Sequence, residues 1–437
     1  MRKNLNKIVA FAIGVSVISG LAIPVMADTK VTYANSDSTN QNNTKQVLTL
    51  EDAINGAKSS SNTIAILDEN IRLMQNINSL NDKKDKETNA DDDSIKGLTD
   101  TQKDYDEDKR KLQLNQLEQK RDFMVDKLSQ SVTDAYNNLI ISQSEISQLK
   151  NDIELQKTEI QQYNLKKSLG LVTDINIDQV NLGLQKNLND LDNKQNTLKD
   201  DKENFKVLTG KDVDQYTLED KIEYKKFALD GSLDEYLDGV IDEYVSYTQE
   251  INDLNKDFWN DDDNKVGNDK VSDAKKFYED HKDDPIPSLE TSLKENENNL
   301  IKGIEDYVTK SIGHTNALST YTAAIGARMN YLQNKSSVMT SELELNETKD
   351  QYKKALRTMY TNLLNIEKSI DLLNSNVELS NKQLRIDKLN YDLGLQTKLA
   401  YDKSVSESET LNNQLRTLIN SYNTLKAQLE KPWIALS

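Results

Sequence analysis

The sequence of 437 residues has no cysteine, only four prolines, two tryptophans, six phenylalanines and two histidines. Without cysteine there is no disulfide framework, no thiolate metal site and no lipidated cysteine. His281 and His314 stand too far apart to match a metal-ligand spacing. No glycine-rich phosphate loop, HExxH pair or nucleophile motif occurs, so no enzyme activity, cofactor or metal is expected. Past the first 27 residues there is no 18-residue apolar run, so no direct membrane-spanning segment is expected in the mature chain. A basic surplus is missing too: 55 Lys and Arg face 73 Asp and Glu, for a net charge of −18. Such a surface repels phosphate backbones, which excludes nucleic acid as a partner.

What is present is polar and helix-forming. Hydrophobic residues make up 36% of the chain and the mean hydropathy is −0.75, too polar for one large core. Long helices that each bury one stripe fit this composition.

Residues 1–27 read as a signal peptide: Arg2, Lys3 and Lys7, an apolar run from Ile8 to Ile23, and small residues at Val25-Met26-Ala27. Cleavage there leaves 52 basic and 73 acidic residues, a net charge of −21. The chain is thus expected to be exported, to the cell envelope or the outside. Residues 28–46, rich in Asn, Ser, Thr and Gln, read as a flexible lead-in.

Next, "LTLEDAINGAKSSSNTIAILDENIRLMQNINSL" (48–80) reads as an opening helix, with Thr49 capping a helix that starts at Glu51. The charged stretch 81–103 reads as a loop or frayed helix. From 98 to 169 there is no glycine or proline. Alternating steps of four and three from Leu128 to Lys167 meet apolar residues at nine of twelve positions, a coiled-coil pattern. After residue 173 a shorter arm returns to "LTG" at 208–210, with Gly210 as its stop.

The order then repeats. Residues 227–256 read as a second opening helix, and 257–300, holding Pro285 and Pro287, as a second polar loop region. From 327 to 393 glycine and proline vanish again, and the track from Tyr352 to Tyr391 is apolar at ten of twelve positions. The two tracks align at a constant offset of 224: Tyr136 falls on Tyr360, Asn138 on Asn362, Thr173 on Thr397 and Asp178 on Asp402. Matches beyond leucine indicate an internal duplication. "LGLVTDINID" (169–178) and "LGLQTKLAYD" (393–402) mark where each long helix reverses. Gly170 and Gly394 suit the left-handed residue that ends a helix, Leu171 and Leu395 are expected to close over the last turn, and Thr173 and Thr397 to cap the next helix.

The fold class is therefore all-α: two tandem repeats of long antiparallel coiled-coil hairpins. Repeat 1 spans 47–210 with its tip near 169–173. Repeat 2 spans 211–432 with its tip near 393–397 and a polar insertion at 257–300.

This arrangement resembles the TolC (outer membrane efflux protein) family over about 46–432. The features that carry the resemblance are the opening "LTLEDAI", its looser counterpart "GSLDEYLDGVIDEYVSYTQEI", the two Leu-Gly-Leu turns, the unequal arms and the duplication. The resemblance implies a trimer whose twelve helices form a hollow α-barrel. It implies hairpin tips, at Gly170, Leu171, Thr173, Gly394, Leu395 and Thr397, that dock an adaptor (membrane-fusion) protein of an inner pump. The family sets transmembrane strands where 81–103 and 257–300 lie here. Both stretches are too charged for a lipid-facing strand, so no barrel is expected.

One acidic stretch, "DDDNKVGNDKVSD" (261–273), invites a calcium-loop reading. With Asp262 first, Gly267 falls at position six, but Val266 and Asp273 occupy two ligand positions wrongly. A different class stays open beside the conduit: a secreted or surface coiled coil that binds proteins without transport.

Overall fold

The computed structural model describes residues 45–87, 100–283, 288–296 and 298–436. The signal peptide at 1–27, nearly all of the lead-in, and Asp91–Asp93 lie outside them. The described residues form two compact units. Unit 1 holds residues 45–70, 119–244 and 353–436; unit 2 holds 71–118 and 245–352 apart from the stretches just excluded.

In unit 1, β1 (Gln46–Leu48) leads into α1 (Leu50–Ser60), and α2 (Asn62–Glu87) follows after Ser61. Thr49 caps α1 as its residue type dictates, its Oγ1 accepting from the Asp52 N–H at 3.1 Å. The helix therefore starts at Leu50, one residue before the expected position. The C-terminal part of α3 (Asp100–Ser168) and α4 (Asp174–Thr209) make the first hairpin. Val132, Leu139, Ile146 and Ile153, seven residues apart, are all buried on α3. Gly210 at φ +69° ends α4. The second hairpin pairs the C-terminal part of α8 (Leu300–Asp392) with α9 (Lys398–Glu430). Its buried track is Leu356, Leu363 and Ile370, again seven apart.

The fold is not wholly helical. β1 pairs in parallel with β2 (Tyr216–Leu218), Leu48 opposite Leu218. Tyr136 ties this ladder to α3: its hydroxyl donates to the Leu48 carbonyl at 2.6 Å and accepts from the Glu219 N–H at 2.8 Å. Around it pack Ala53, Ala57, Leu139, Phe205 and Val213. Strands of three residues have no period to read, which is why the sequence pattern passes over them.

Residues 219–232 then cross α8 and α9 without regular structure. Asn423 donates to the Glu223 carbonyl at 2.7 Å, and the Phe227 N–H donates to the Tyr422 hydroxyl at 2.7 Å. Accordingly the second opening helix, α5 (Leu233–Asn260), starts after Gly231 (φ +89°) and not at Phe227. The chain closes on α10 (Trp433–Leu436), whose Trp433 ring stacks on Phe123 at 4.2 Å.

Unit 2 is helical over much of 257–300, where a polar loop was expected, and over the start of 81–103, which was read as a loop or frayed helix. α2 continues to Glu87. The 257–300 stretch holds the end of α5, then α6 (Asn268–His281) and α7 (Leu289–Glu295). α8 starts at Leu300, well before the glycine-free run, and passes through Gly303, Gly313 and Gly326. Gly303 lets α7 close in: a Cβ there would meet the Ser292 carbonyl at 2.8 Å. The side chains set a row. Arg110 of α3 pairs with Asp82 and Asp85 of α2, Tyr105 of α3 stacks on Phe258 of α5 at 4.0 Å, and Lys256 of α5 pairs with Glu342 of α8 at 2.8 Å. Along the N-terminal part of α8, Tyr278 of α6 stacks on Tyr321 at 5.7 Å. Residues 268–273 of the acidic stretch are the first turns of α6.

Candidate functional site

The two reversals have the same backbone geometry. Gly170 and Gly394 both sit at φ +72°, a conformation that costs a side-chain-bearing residue about 1–2 kcal/mol. At the first tip the Gly170 N–H donates to Lys167 O and the Leu171 N–H to Lys166 O, both at 2.9 Å. At the second the Gly394 N–H donates to Tyr391 O at 2.9 Å and the Leu395 N–H to Asn390 O at 2.8 Å. This is the paired bonding of a Schellman turn, and it consumes the carbonyls left over at each helix end.

The caps differ. Thr397 Oγ1 accepts from the Ala400 N–H at 3.2 Å. At Thr173 the Asn176 carboxamide takes over: its Oδ1 accepts from the Thr173 N–H at 3.1 Å and from the hydroxyl at 2.8 Å. Leu171 and Leu395 do not close over the last turn. They are 69% and 75% exposed, and Leu169 and Leu393 beside them are exposed as well. The residue each leucine would cover, four before the glycine, is Lys166 at one tip and Asn390 at the other, neither of them apolar, so the leucines stand in water.

The second tip carries a clamp that sequence reading missed. Tyr391 of α8 and Tyr401 of α9 stack at 5.5 Å with a 9° interplanar angle, and the Lys388 ammonium lies 5.4 Å and 5.7 Å from the two rings. A hydrogen bond to Asp392 holds Lys388 above the usual lysine range, so the cation stays charged against the rings. At the first tip Lys167 instead pairs with Asp174 across the turn. The lysine-to-tyrosine spacing of three was the available signal.

Behind the tips the four arms form a row. Lys194 of α4 pairs with Glu145 of α3 at 2.6 Å. α3 meets α9 along a ladder of amides and hydroxyls. Thr424 donates to Asp134 at 2.7 Å, Asn137 to Asn420 at 2.9 Å, Ser144 to Asn413 at 2.7 Å and Asn413 to Gln148 at 2.7 Å, with Ser406 bonded to Asp152 further on. Tyr422 of α9 reaches Glu367 of α8 at 3.3 Å. The order is thus α4–α3–α9–α8. The row is concave: Asp190 and Lys194 from α4 and Leu372 and Asn376 from α8 flank an open cleft of about 900 Å³ floored by α3 and α9. Polar side chains alternate in its lining with Leu149, Leu372, Leu373 and Leu418, and most of the surface it exposes is apolar.

Both edges of the row are apolar and exposed. On α8 the exposed residues Leu372, Leu379, Ile386 and Leu393 recur every seven. On α4 Ile175, Leu182 and Leu188 do the same less regularly. The α8 stripe lies one residue off the track read from sequence, so it went unread beside the stronger one.

Two tandem hairpins of unequal arms, set as a curved row with apolar edges, make a TolC-like helical-barrel fold. No protein-family model matches the sequence, and no curated protein matches it. Solved structures do. The Campylobacter jejuni CmeC outer membrane channel aligns over 94% of this chain and 94% of its own at TM-score 0.51, with 10% identity. The outer membrane protein VceC of Vibrio cholerae aligns over 89% and 96% at TM-score 0.46, with 13% identity. At such identity it is the fold that is alike, and CmeC carries the comparison.

Proposed function

We propose that this chain is the wall-forming subunit of a TolC-like conduit in an envelope-spanning efflux or export assembly. The observation that carries the reading is the concave row of unit 1 with two apolar edges. A row of this kind leaves no edge satisfied until α8 of one copy meets α4 of the next. Head-to-tail contacts of that type close into a ring when the rotation permits. Three copies would give the twelve-helix barrel that the family resemblance implies. The concave face then becomes the lumen, and the exposed leucines of the tips face an adaptor protein attached to a pump. In this reading the chain works in the cell envelope after export and does no chemistry of its own. The repeats at 47–210 and 211–432 each supply one hairpin per copy.

Two measurements test it. Sedimentation of the exported chain should give about 140–150 kDa, on the order of three copies, and single-particle images should show a ring with a central hole. A double variant, Leu171→Asp with Leu395→Asp, should keep helicity and mass but lose capture of a membrane-fusion adaptor from the same cell. A solid rod, or unchanged capture, would reject the conduit. A second reading draws on the helices of unit 2 in places where the family sets strands: a secreted or surface coiled coil that joins proteins without transport. A rod-shaped particle that still binds partners through its tips would favour it.

A further inference from the structure

Unit 2 carries a second, longer apolar stripe on α8. Ile301, Ile304 and Val308 open it, Leu318, Ile325, Met329 and Leu332 continue it, and Met339 and Leu343 end it, all of them exposed. From 301 to 343 these fall on unbroken alternating steps of three and four. The four steps not occupied by a large apolar residue hold Ser311, Thr315, Thr322 and Ser336. The face that unit 2 already buries is a different one, at Gly303, Ala317, Tyr331 and Leu345, where α5, α6 and α7 pack. The helix thus has one seam in use and a second, about a third of a turn away, open.

A two-position heptad seam about 63 Å long is the surface of a coiled coil, not of a soluble helix face. Its nine large apolar side chains offer on the order of 900 Å², close to the roughly 800 Å² that each partner gives to a standard interface. Within unit 2 the only other exposed large apolar residues among those described are Leu73, Ile77 and Leu80 of α2, together with Phe277, Leu289 and Leu300. The α2 patch is two turns long, too short to cover a stripe of twelve turns. The one surface of matching length and period is the same stripe on another copy. Around a rotation axis along α8, copies of this helix run parallel in register, and every layer meets itself: Ile304 against Ile304, Leu318 against Leu318, Leu332 against Leu332.

We infer that residues 301–343 of α8 form a parallel, in-register coiled coil with the same segment of further copies, a subunit contact separate from the apolar edges of unit 1. The inference does not depend on the conduit reading, since a spacer protein would assemble through the same seam. The small hydroxyl side chains at Ser311, Thr315, Thr322 and Ser336 fit such layers without bulk.

The absence of cysteine makes the test clean. Three single variants of the full chain, Ile304→Cys, Leu318→Cys and Leu332→Cys, are oxidised with copper-phenanthroline and run on a non-reducing gel. Each should give a covalent dimer as the main band, because facing layers bring the Cα atoms within about 7 Å. Thr320→Cys, on the far side of the helix, should give at least tenfold less. If no stripe position cross-links above the Thr320→Cys level, the seam is not a contact between copies and the inference falls. Cross-linking confined to positions near Thr322 would mean antiparallel pairing and overturn the parallel arrangement. Tip binding and ring formation are read by other assays, so failure here leaves the conduit reading standing, and the reverse.

Discussion

Two tyrosines whose hydroxyls are both buried, but with opposite hydrogen-bond status, make a sharp test of what holds unit 1 together. Tyr136 is 1% exposed, and its hydroxyl is the joint between the β1 carbonyl at Leu48 and the backbone N–H of Glu219. Tyr136→Phe keeps the ring against Phe205 and removes that joint, leaving the buried Leu48 carbonyl and the part-buried Glu219 N–H without this partner. A buried orphan costs about 1–3 kcal/mol and one that water can reach costs less, so the loss should be about 1–3 kcal/mol. Tyr224 is the counterpart: its hydroxyl is buried with no hydrogen-bond partner, while its ring packs edge-on to Tyr422 at 5.1 Å. Tyr224→Phe removes a desolvated hydroxyl that returns nothing, so stability should stay the same or rise by about 1 kcal/mol. Urea unfolding followed by circular dichroism compares the two variants, and amide exchange at Glu219 localises the effect. Equal destabilisation by both would show that ring packing, not the hydroxyl joint, sets the energetics here. A change below about 0.5 kcal/mol in Tyr136→Phe would refute the joint altogether.

Burial pushes both Tyr224 and Tyr236 up to about 12, above the ordinary 10. Between pH 10 and 12 the unfolded chain releases these protons before the folded one does, so the folded state loses stability as pH rises through that window and keeps it in full below pH 10. Absorbance titration should show Tyr224 and Tyr236 ionising late, together with Tyr136 and Tyr422, which burial also raises, and urea midpoints should fall across the window. Gly56→Ala should destabilise by about 1–3 kcal/mol, because a Cβ would come 2.6 Å from the Thr209 carbonyl where α1 meets α4. Gly239→Ala on α5, with open space around it, should instead stabilise by about 0.5–1 kcal/mol. Gly170→Ala and Gly394→Ala meet no neighbour but are forced to positive φ, so each should cost about 1–2 kcal/mol by thermal unfolding. After export, N-terminal sequencing should start at Asp28; retention of Met1 in a membrane fraction would disprove cleavage.

The parts of the fold legible in the sequence are those governed by local rules. Gly170, Gly394 and Gly210 mark their helix ends because a left-handed residue is needed there and little else fits. The seven-residue spacing of Val132, Leu139, Ile146 and Ile153 and of Leu356, Leu363 and Ile370 is visible because burial repeats with the helix. Legibility fails where tertiary contacts overrule local preference. Gly303, Gly313 and Gly326 look like breakers, yet α8 runs through them, and at Gly303 the close approach of α7 supplies the reason. α6 and α7 are too polar to stand out from a loop. The β1–β2 ladder is decided by pairing between segments far apart in the chain, which no window of residues contains. At the tips the glycines were readable, but the exposure of Leu171 and Leu395 and the clamp of Lys388, Tyr391 and Tyr401 depend on what lies opposite them.

The line along which α3 meets α9 is made of Asn, Gln, Ser, Thr and Asp side chains. Bonds of this kind trade with water at little net cost, about 1 kcal/mol apiece, whereas leucine seams resist wetting. Within a hairpin the arms are glued; between the hairpins they are latched. A pull or a twist applied at the tips would therefore part α3 from α9 before it unzips either hairpin, and the gap would fill with solvent without baring grease. Such a seam can open and reclose many times without inviting aggregation, which gives this row of helices a built-in line of reversible yielding.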